Sequence, residues 1–204
     1  MKPNLNLKYT LLKKQLEKEY YYFNILPKLK NMILALGKTL SPNEYRHIKN
    51  DIWIHKTAKV DKSTKLIGPL IIGENSEIRF SSFIRGSVLI GKNVVIGNSV
   101  EIKNSILFDE VKIPHLSYVG DSILGYKVHI GAGTIISNVR LDNNKVKVGD
   151  YQTNLNKLGS IVGQNVEIGC SCVINPGTII HENSKIIPLS NVRGIIKEKD
   201  KCVE

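Results

Sequence analysis

One period governs this chain. Counting in sixes from Ile54 reaches Val60, Leu66, Ile72, Ile78, Ile84, Ile90, Ile96, Ile102 and Phe108, ten apolar positions without a break. A second series runs Val162, Ile168, Ile174, Ile180, Ile186 and Val192. Between them the phase slips, with Ile113 and Val119 forming one step and Leu124, Ile130 and Ile136 another. Four residues after most of these aliphatics stands a small or β-branched side chain, such as Ser76, Ser82, Val94, Val100, Cys172 or Thr178. Neither the ~3.6-residue turn of a helix nor the alternation of a strand repeats every six residues. A three-sided coil does. Each side is a short strand, each corner a tight turn, and about 18 residues complete a rung at the ~4.8 Å strand spacing. The aliphatic points into the prism and the small residue fits beside it. The Gly that often follows, as in Ile90-Gly91 and Ile168-Gly169, is expected to relax the corner. The pattern predicts a mainly β chain whose residues 51–196 form a left-handed parallel β-helix of hexapeptide repeats.

Residues 1–50 lack the period and read as a helical segment. Leu11, Leu12 and Leu16, then Ile25, Leu29, Met32, Ile33 and Leu36, have helical spacing, with Gly37 as a C-cap and Ser41-Pro42 as a break. Two short helices are expected, packed on the prism or on a neighbouring subunit. The aromatics Tyr9, Tyr20, Tyr21, Tyr22 and Phe23 read as packing residues. Residues 139–160 interrupt the repeat with Asp142-Asn143-Asn144 and several Lys, as a loop pushed out of the coil, and such loops commonly carry function. Residues 197–204 are left as a tail.

A chain of 204 residues suits one domain with a short appendage. Its net charge of +11 is concentrated at the start, where ten basic residues against three acidic ones leave +7 in residues 1–50. No nucleic-acid-binding pattern accompanies that charge, so a solvated Lys-rich surface and a small acidic substrate are the better uses of its sign. No apolar run is long enough to span a membrane, and the Lys-rich start lacks the apolar core of a signal peptide. Three cysteines, Cys170, Cys172 and Cys202, without C-x-x-C spacing argue against disulfides and thiolate zinc and point to a reducing cytoplasm.

Two positions stand out for chemistry. Arg85 and Lys103 lie one full rung apart, each just after an inward aliphatic, and should stack on adjacent rungs of one face. Their mutual repulsion is relieved by a bridging anion such as phosphate, or by splaying into water. The slip shortens the rung that separates His115 from Ala132, within Gly131-Ala132-Gly133, so that Ala132 should stack directly on His115. An imidazole is then expected beneath an exposed backbone amide, as a general base or as an ordinary surface His. Glu101 falls under Tyr118 by the same count, where it could orient the imidazole. A metal site has little support: His115 and His129 are too far apart in the chain to form a close pair, His181 is remote and no His-x4-His occurs. Cys172 reads as a small core residue and Cys170 as outward-facing.

The run Ser99-Val-Glu-Ile-Lys103, then Pro114-His-Leu-Ser-Tyr-Val-Gly-Asp121, then Ile130-Gly-Ala-Gly-Thr134 and Asn138, resembles one family over residues 52–195. It is similar to the glucosamine-1-phosphate N-acetyltransferase domain of the bifunctional UDP-N-acetylglucosamine pyrophosphorylase/acetyltransferase. The resemblance implies acetyl-CoA as co-substrate, an amino-sugar phosphate as acceptor, no metal and a homotrimer with its site between neighbouring prisms. It implies His115 as general base with Glu101 beside it, and Arg85, Lys103, Tyr118, Asn138 and Lys145 as binders of the sugar phosphate. Ala132 and Cys170 match positions lining the acetyl-CoA site. His129 stands where the family has a sugar-contacting Asn, and Cys170 where it has Ser. The loop at 139–160 is longer than the family's, and no pyrophosphorylase domain is present, which leaves room for a separate uridylyltransferase as partner. Two other readings of the fold are a non-catalytic sugar-nucleotide-binding scaffold and a metalloenzyme like the γ-carbonic anhydrases.

Overall fold

The computed structural model describes residues 1–197, so all but the first residue of the expected tail, with Cys202, lies outside the described range. The repeat folds into a three-sided parallel β-helix, the class its period predicts. The first face carries nine strands and the second and third carry seven each. All rungs pair in parallel, with Ile72 opposite Ile90 and Ile84 opposite Ile102. The aliphatics and small residues form one continuous core, in which Ile78, Ile96, Ile113 and Ile130 are at most 1 % exposed. Each such side chain, moved from water into the prism, contributes roughly 1.5–3 kcal/mol.

The slip begins one step earlier than the period alone indicates. Leu107, not Phe108, stands opposite Ile90 and points inward. One residue is missing from the corner between the third and first faces, between Lys103 and Ile106 and again between Gly120 and Ile123, so these rungs are shorter by that residue than the rungs before them. Phe108 turns outward and is buried in a second apolar cluster.

The glycines after the aliphatics have a different reason from the one expected. The left-handed corner conformation falls mostly to Asn and Ser residues, among them Asn75, Asn93, Ser81 and Ser99, all at φ of 54–57°. Short polar side chains tolerate that region best among non-glycine residues. Gly97 is needed instead for close approach, because a Cβ there would lie 1.4 Å from the Pro114 carbonyl oxygen of the next rung.

The second cluster is an outer layer on the first face. Trp53, Ile71, Leu89, Ile106, Ile123, Ile161 and Ile179 point outward there and are covered by Leu12, Leu16, Phe23, Ile25, Leu29 and Ile33. Two helices form as expected, α1 (Lys13–Lys18) and α2 (Leu29–Gly37), each preceded by a 3-10 turn. Two details differ. Leu11 is exposed, and Gly37 ends α2 without a left-handed cap. A Cβ at Gly37 would come within 2.5 Å of the Trp53 ring, so this glycine admits the indole. Tyr45–Ile48, inside the segment read as helical, pairs antiparallel with Ile52–His55 and starts the first face. The insertion is not simply pushed out. Lys147–Val148 and Tyr151–Gln152 form a hairpin, Val146, Val148 and Leu158 are fully buried, and the Tyr151 ring packs against Tyr21 and Phe23.

Ile96→Ala, which empties the middle of the ladder, should lower unfolding stability by about 2–5 kcal/mol. Leu141→Ala, at a fully exposed insertion residue, should change it by less than ~0.5 kcal/mol. Urea denaturation followed by circular dichroism measures both, and a tolerant Ile96 would contradict the role given to the core.

Candidate active site

The corner between the second and third faces builds a column of residues one above another. Leu116 N donates to Asn98 O (3.0 Å), Gly133 N to His115 O (3.2 Å), Ser171 N to Ala132 O (2.8 Å) and Leu189 N to Cys170 O (2.9 Å). Asn98, His115, Ala132 and Cys170 therefore occupy equivalent positions on successive rungs, and the stacking of Ala132 on His115 is as the shortened rung predicts. Cys170 is exposed and Cys172 is buried in the core, where burial raises its thiol pKa.

His115 is exposed, and its Nδ1 lies 2.8 Å from Asn98 Oδ1. An Nδ1 that donates to this amide oxygen leaves Nε2 of the neutral ring with its lone pair free. Glu101, expected to orient this ring, is engaged elsewhere, and the orienting group is Asn98. Sequence reasoning passed over Asn98, although its place one shortened rung before His115 was countable.

The third face holds the cations. Arg85 and Lys103 are register partners, as expected. Each is met by a carboxylate of its own, not by a gap awaiting an anion. Arg85 Nε donates to Glu101 Oε1 at 2.6 Å, and the guanidinium lies over the Phe83 ring. Lys103 Nζ donates to Asp121 Oδ2 at 3.0 Å. Asp121, 5 % exposed, also accepts from Asn104 Nδ2 at 2.7 Å and from Asn138 Nδ2. Asn138 is hydrogen-bonded in turn to the Tyr118 side chain. Burial first, then the Asp121 and Glu101 carboxylates, raises the Tyr118 phenol above its ordinary pKa, so it stays a neutral donor. The Arg85–Glu101 pair and the network of Lys103, Asp121, Asn138 and Tyr118 thus lie side by side on the third face, across a single corner from His115.

Two expected site residues lie apart from it. His129 sits on the second face opposite Lys112, with Nδ1 3.0 Å from Glu167 Oε2, in a groove of about 400 Å³. Lys145 lies in the insertion and donates to Asn156 Oδ1 at 2.6 Å. The base of that insertion is tied to the network, since Leu158 N donates to Asn138 O and Gly159 N to Asp121 O. Among the described residues no group of three His, Cys, Asp or Glu is placed to hold a metal ion. No helix there is long and apolar enough to cross a membrane.

Comparison with known proteins gives this geometry a context. Residues 66–159 match the family model of the GMPPB C-terminal domain. A bifunctional sugar-1-phosphate nucleotidylyltransferase/acetyltransferase of Sulfurisphaera tokodaii is 39 % identical over 163 residues, 69 % of this chain and 41 % of that protein. The bifunctional protein GlmU of Methanococcus maripaludis strain C5 is 46 % identical over 84 residues, 40 % of this chain and 20 % of that protein. A solved acetyltransferase domain of PglB from Neisseria gonorrhoeae, in complex with acetyl coenzyme A, is 14 % identical with a TM-score of 0.41, covering 77 % of this chain and 62 % of that one. The chain resembles the C-terminal acetyltransferase domain of the bifunctional relatives, and spans a fifth to two-fifths of their length.

Nitrogen-15 NMR of His115 in its neutral form should show the Nδ1–H tautomer. Asn98→Ala should release it to the Nε2–H tautomer that an unconstrained histidine side chain prefers. An Nε2–H signal already dominant in the unaltered protein would contradict the orienting role of Asn98.

Proposed function

We propose that this chain is an acetyl-CoA-dependent N-acetyltransferase acting on an amino-sugar phosphate of the glucosamine 1-phosphate type, in the cytoplasmic synthesis of nucleotide sugars. The observation that carries the reading is the corner itself. An imidazole with a free Nε2 stands on one side, and an ordered set of cations and neutral donors stands on the other. Arg85 and Lys103 supply charge-assisted donors to a phosphate, while Tyr118 supplies a neutral one to sugar or phosphate oxygens and Asn138 a neutral amide beside it. His115 Nε2 takes a proton as the amine nitrogen attacks the thioester carbonyl. The C–N bond forms, the oxyanion collapses, the C–S bond breaks, and coenzyme A leaves as its thiol with that proton. The backbone amide at Ala132, one rung above, is assigned to the developing oxyanion, and the corner at Cys170 to the coenzyme. Glu101 acts through Arg85 in this scheme.

The site is read as complete only between copies. The first face is sealed by α1, α2 and the hairpin, whereas the second and third faces stay open. Exposed Phe80, Leu116 and Leu189 run up the corner between them, with Ile135 and Val173 beside it on the third face. A homotrimer that covers those residues would bring His129 or Lys145 of one copy to the third face of the next. The relatives named for both reactions support a nucleotidylyltransferase as the functional partner, on a separate chain or elsewhere on the same one.

Thiol release from acetyl-CoA with glucosamine 1-phosphate tests the reading. His115→Ala should lower kcat/KM by roughly 10²–10⁴-fold with the fold intact. Activity within a few-fold of wild type would remove His115 as the base. A folded wild-type protein silent across amino-sugar phosphates would favour the scaffold reading.

A further inference from the structure

The carboxylate of Asp121 is a buried, highly connected group that the proposed reaction does not use. It is 5 % exposed, and three donors converge on it: Lys103 Nζ at 3.0 Å, Asn104 Nδ2 at 2.7 Å and Asn138 Nδ2. Its own backbone is held as firmly. Asp121 N donates to Lys103 O at 2.8 Å, Gly159 N donates to Asp121 O at 2.9 Å, and φ is 47°. The residue sits at the corner between the third and first faces, where its column continues down through Asn104 and Gly86, each also at positive φ. Of these three only Asp121 brings a charge.

A buried carboxylate is costly unless its lone pairs are filled. Here they are filled by two residues read as ligand donors, Lys103 and Asn138, and by one that is not, Asn104. A flexible lysine otherwise loses much side-chain entropy on meeting a ligand. We propose that Asp121 is the positioning residue of the acceptor site. It fixes the Lys103 ammonium in place, so that its remaining hydrogens face the ligand before it arrives, and it holds the Asn138 amide against the Tyr118 side chain. The carboxylate itself makes no contact with the ligand. Through the Gly159 bond the same residue anchors the returning end of the insertion, which ties the loop bearing Lys145 to the donors.

This inference rests on the acetyltransferase reading, and its test separates the two. The full chain is assayed with glucosamine 1-phosphate and acetyl-CoA as wild type, Asp121→Asn, Lys103→Met and the double variant. Asp121→Asn keeps the shape but removes the charge and turns an NH2 toward donors. Its KM for glucosamine 1-phosphate should rise on the order of tenfold, with KM for acetyl-CoA within about twofold. In the Lys103→Met background the same change should raise the acceptor KM by less than about threefold, because the pair it breaks is already gone. Asn104→Gly keeps the left-handed corner and the charge but removes one donor. It should raise the acceptor KM by roughly two- to fivefold, and it serves if Asp121→Asn does not fold. Equal effects on both substrates, equal losses in both backgrounds, or an unchanged Asn104→Gly would overturn the role of Asp121 while leaving the reaction standing. No turnover by the folded wild-type protein would overturn the reaction, and the inference with it.

Discussion

The ladder of Ile78, Ile96, Ile113, Ile130 and Ile168 fixes everything else, because each rung can seat its inward side chain only directly over the one below. Strand pairing sets the spacing, and the close approach at Gly97 sets how tightly a corner folds over the next. Outward residues are then placed by counting alone. Arg85 and Lys103 meet because they are one rung apart, and His115 stands over Asn98 because the rung between them has lost a residue. A reactive constellation on such a frame needs no loop to hold it, which keeps its geometry within the precision that catalysis demands.

Charge at the site is balanced before any ligand comes. Arg85 is matched by Glu101 and Lys103 by Asp121, so the stacked cations do not repel each other across the rung. These pairs are worth little as stabilisers where they are exposed. Their use is directional: each carboxylate takes one donor of its cation and holds that cation to the third face. Under the proposed function a dianion meets both of these cations, whereas an uncharged sugar meets only neutral groups.

Much of this was legible from the sequence, and the gaps have physical reasons. The period alone predicted the prism, the outward stacking of Arg85 on Lys103 and the place of Ala132 over His115. It misplaced Phe108 because both neighbours at the slip, Leu107 and Phe108, are apolar and either satisfies a hydrophobic count. A signal for the outer layer was present but unread. Doublets such as Ile71-Ile72, Leu89-Ile90, Ile106-Leu107 and Ile161-Val162 recur on every rung of the first face, and an aliphatic on both sides of rung after rung marks a face that is itself covered. The partners of the cations were harder to see. Glu101 reaches diagonally to Arg85 and not up to His115, and Asp121 turns in from a corner, directions that spacing does not encode. The insertion showed itself as a break in phase, while its hairpin and its buried Val146, Val148 and Leu158 depend on an apolar layer built by the distant N-terminal segment.

Under the proposed function this face of the prism reads the phosphate of an amino sugar. Isothermal titration of the intact protein with glucosamine 1-phosphate, and separately with glucosamine, tests it without any turnover. The account predicts saturable binding of the phosphate ester, at least tenfold tighter than that of the free sugar and weakened by added salt. Equal affinity for the two, or tighter binding of the uncharged sugar, would contradict it.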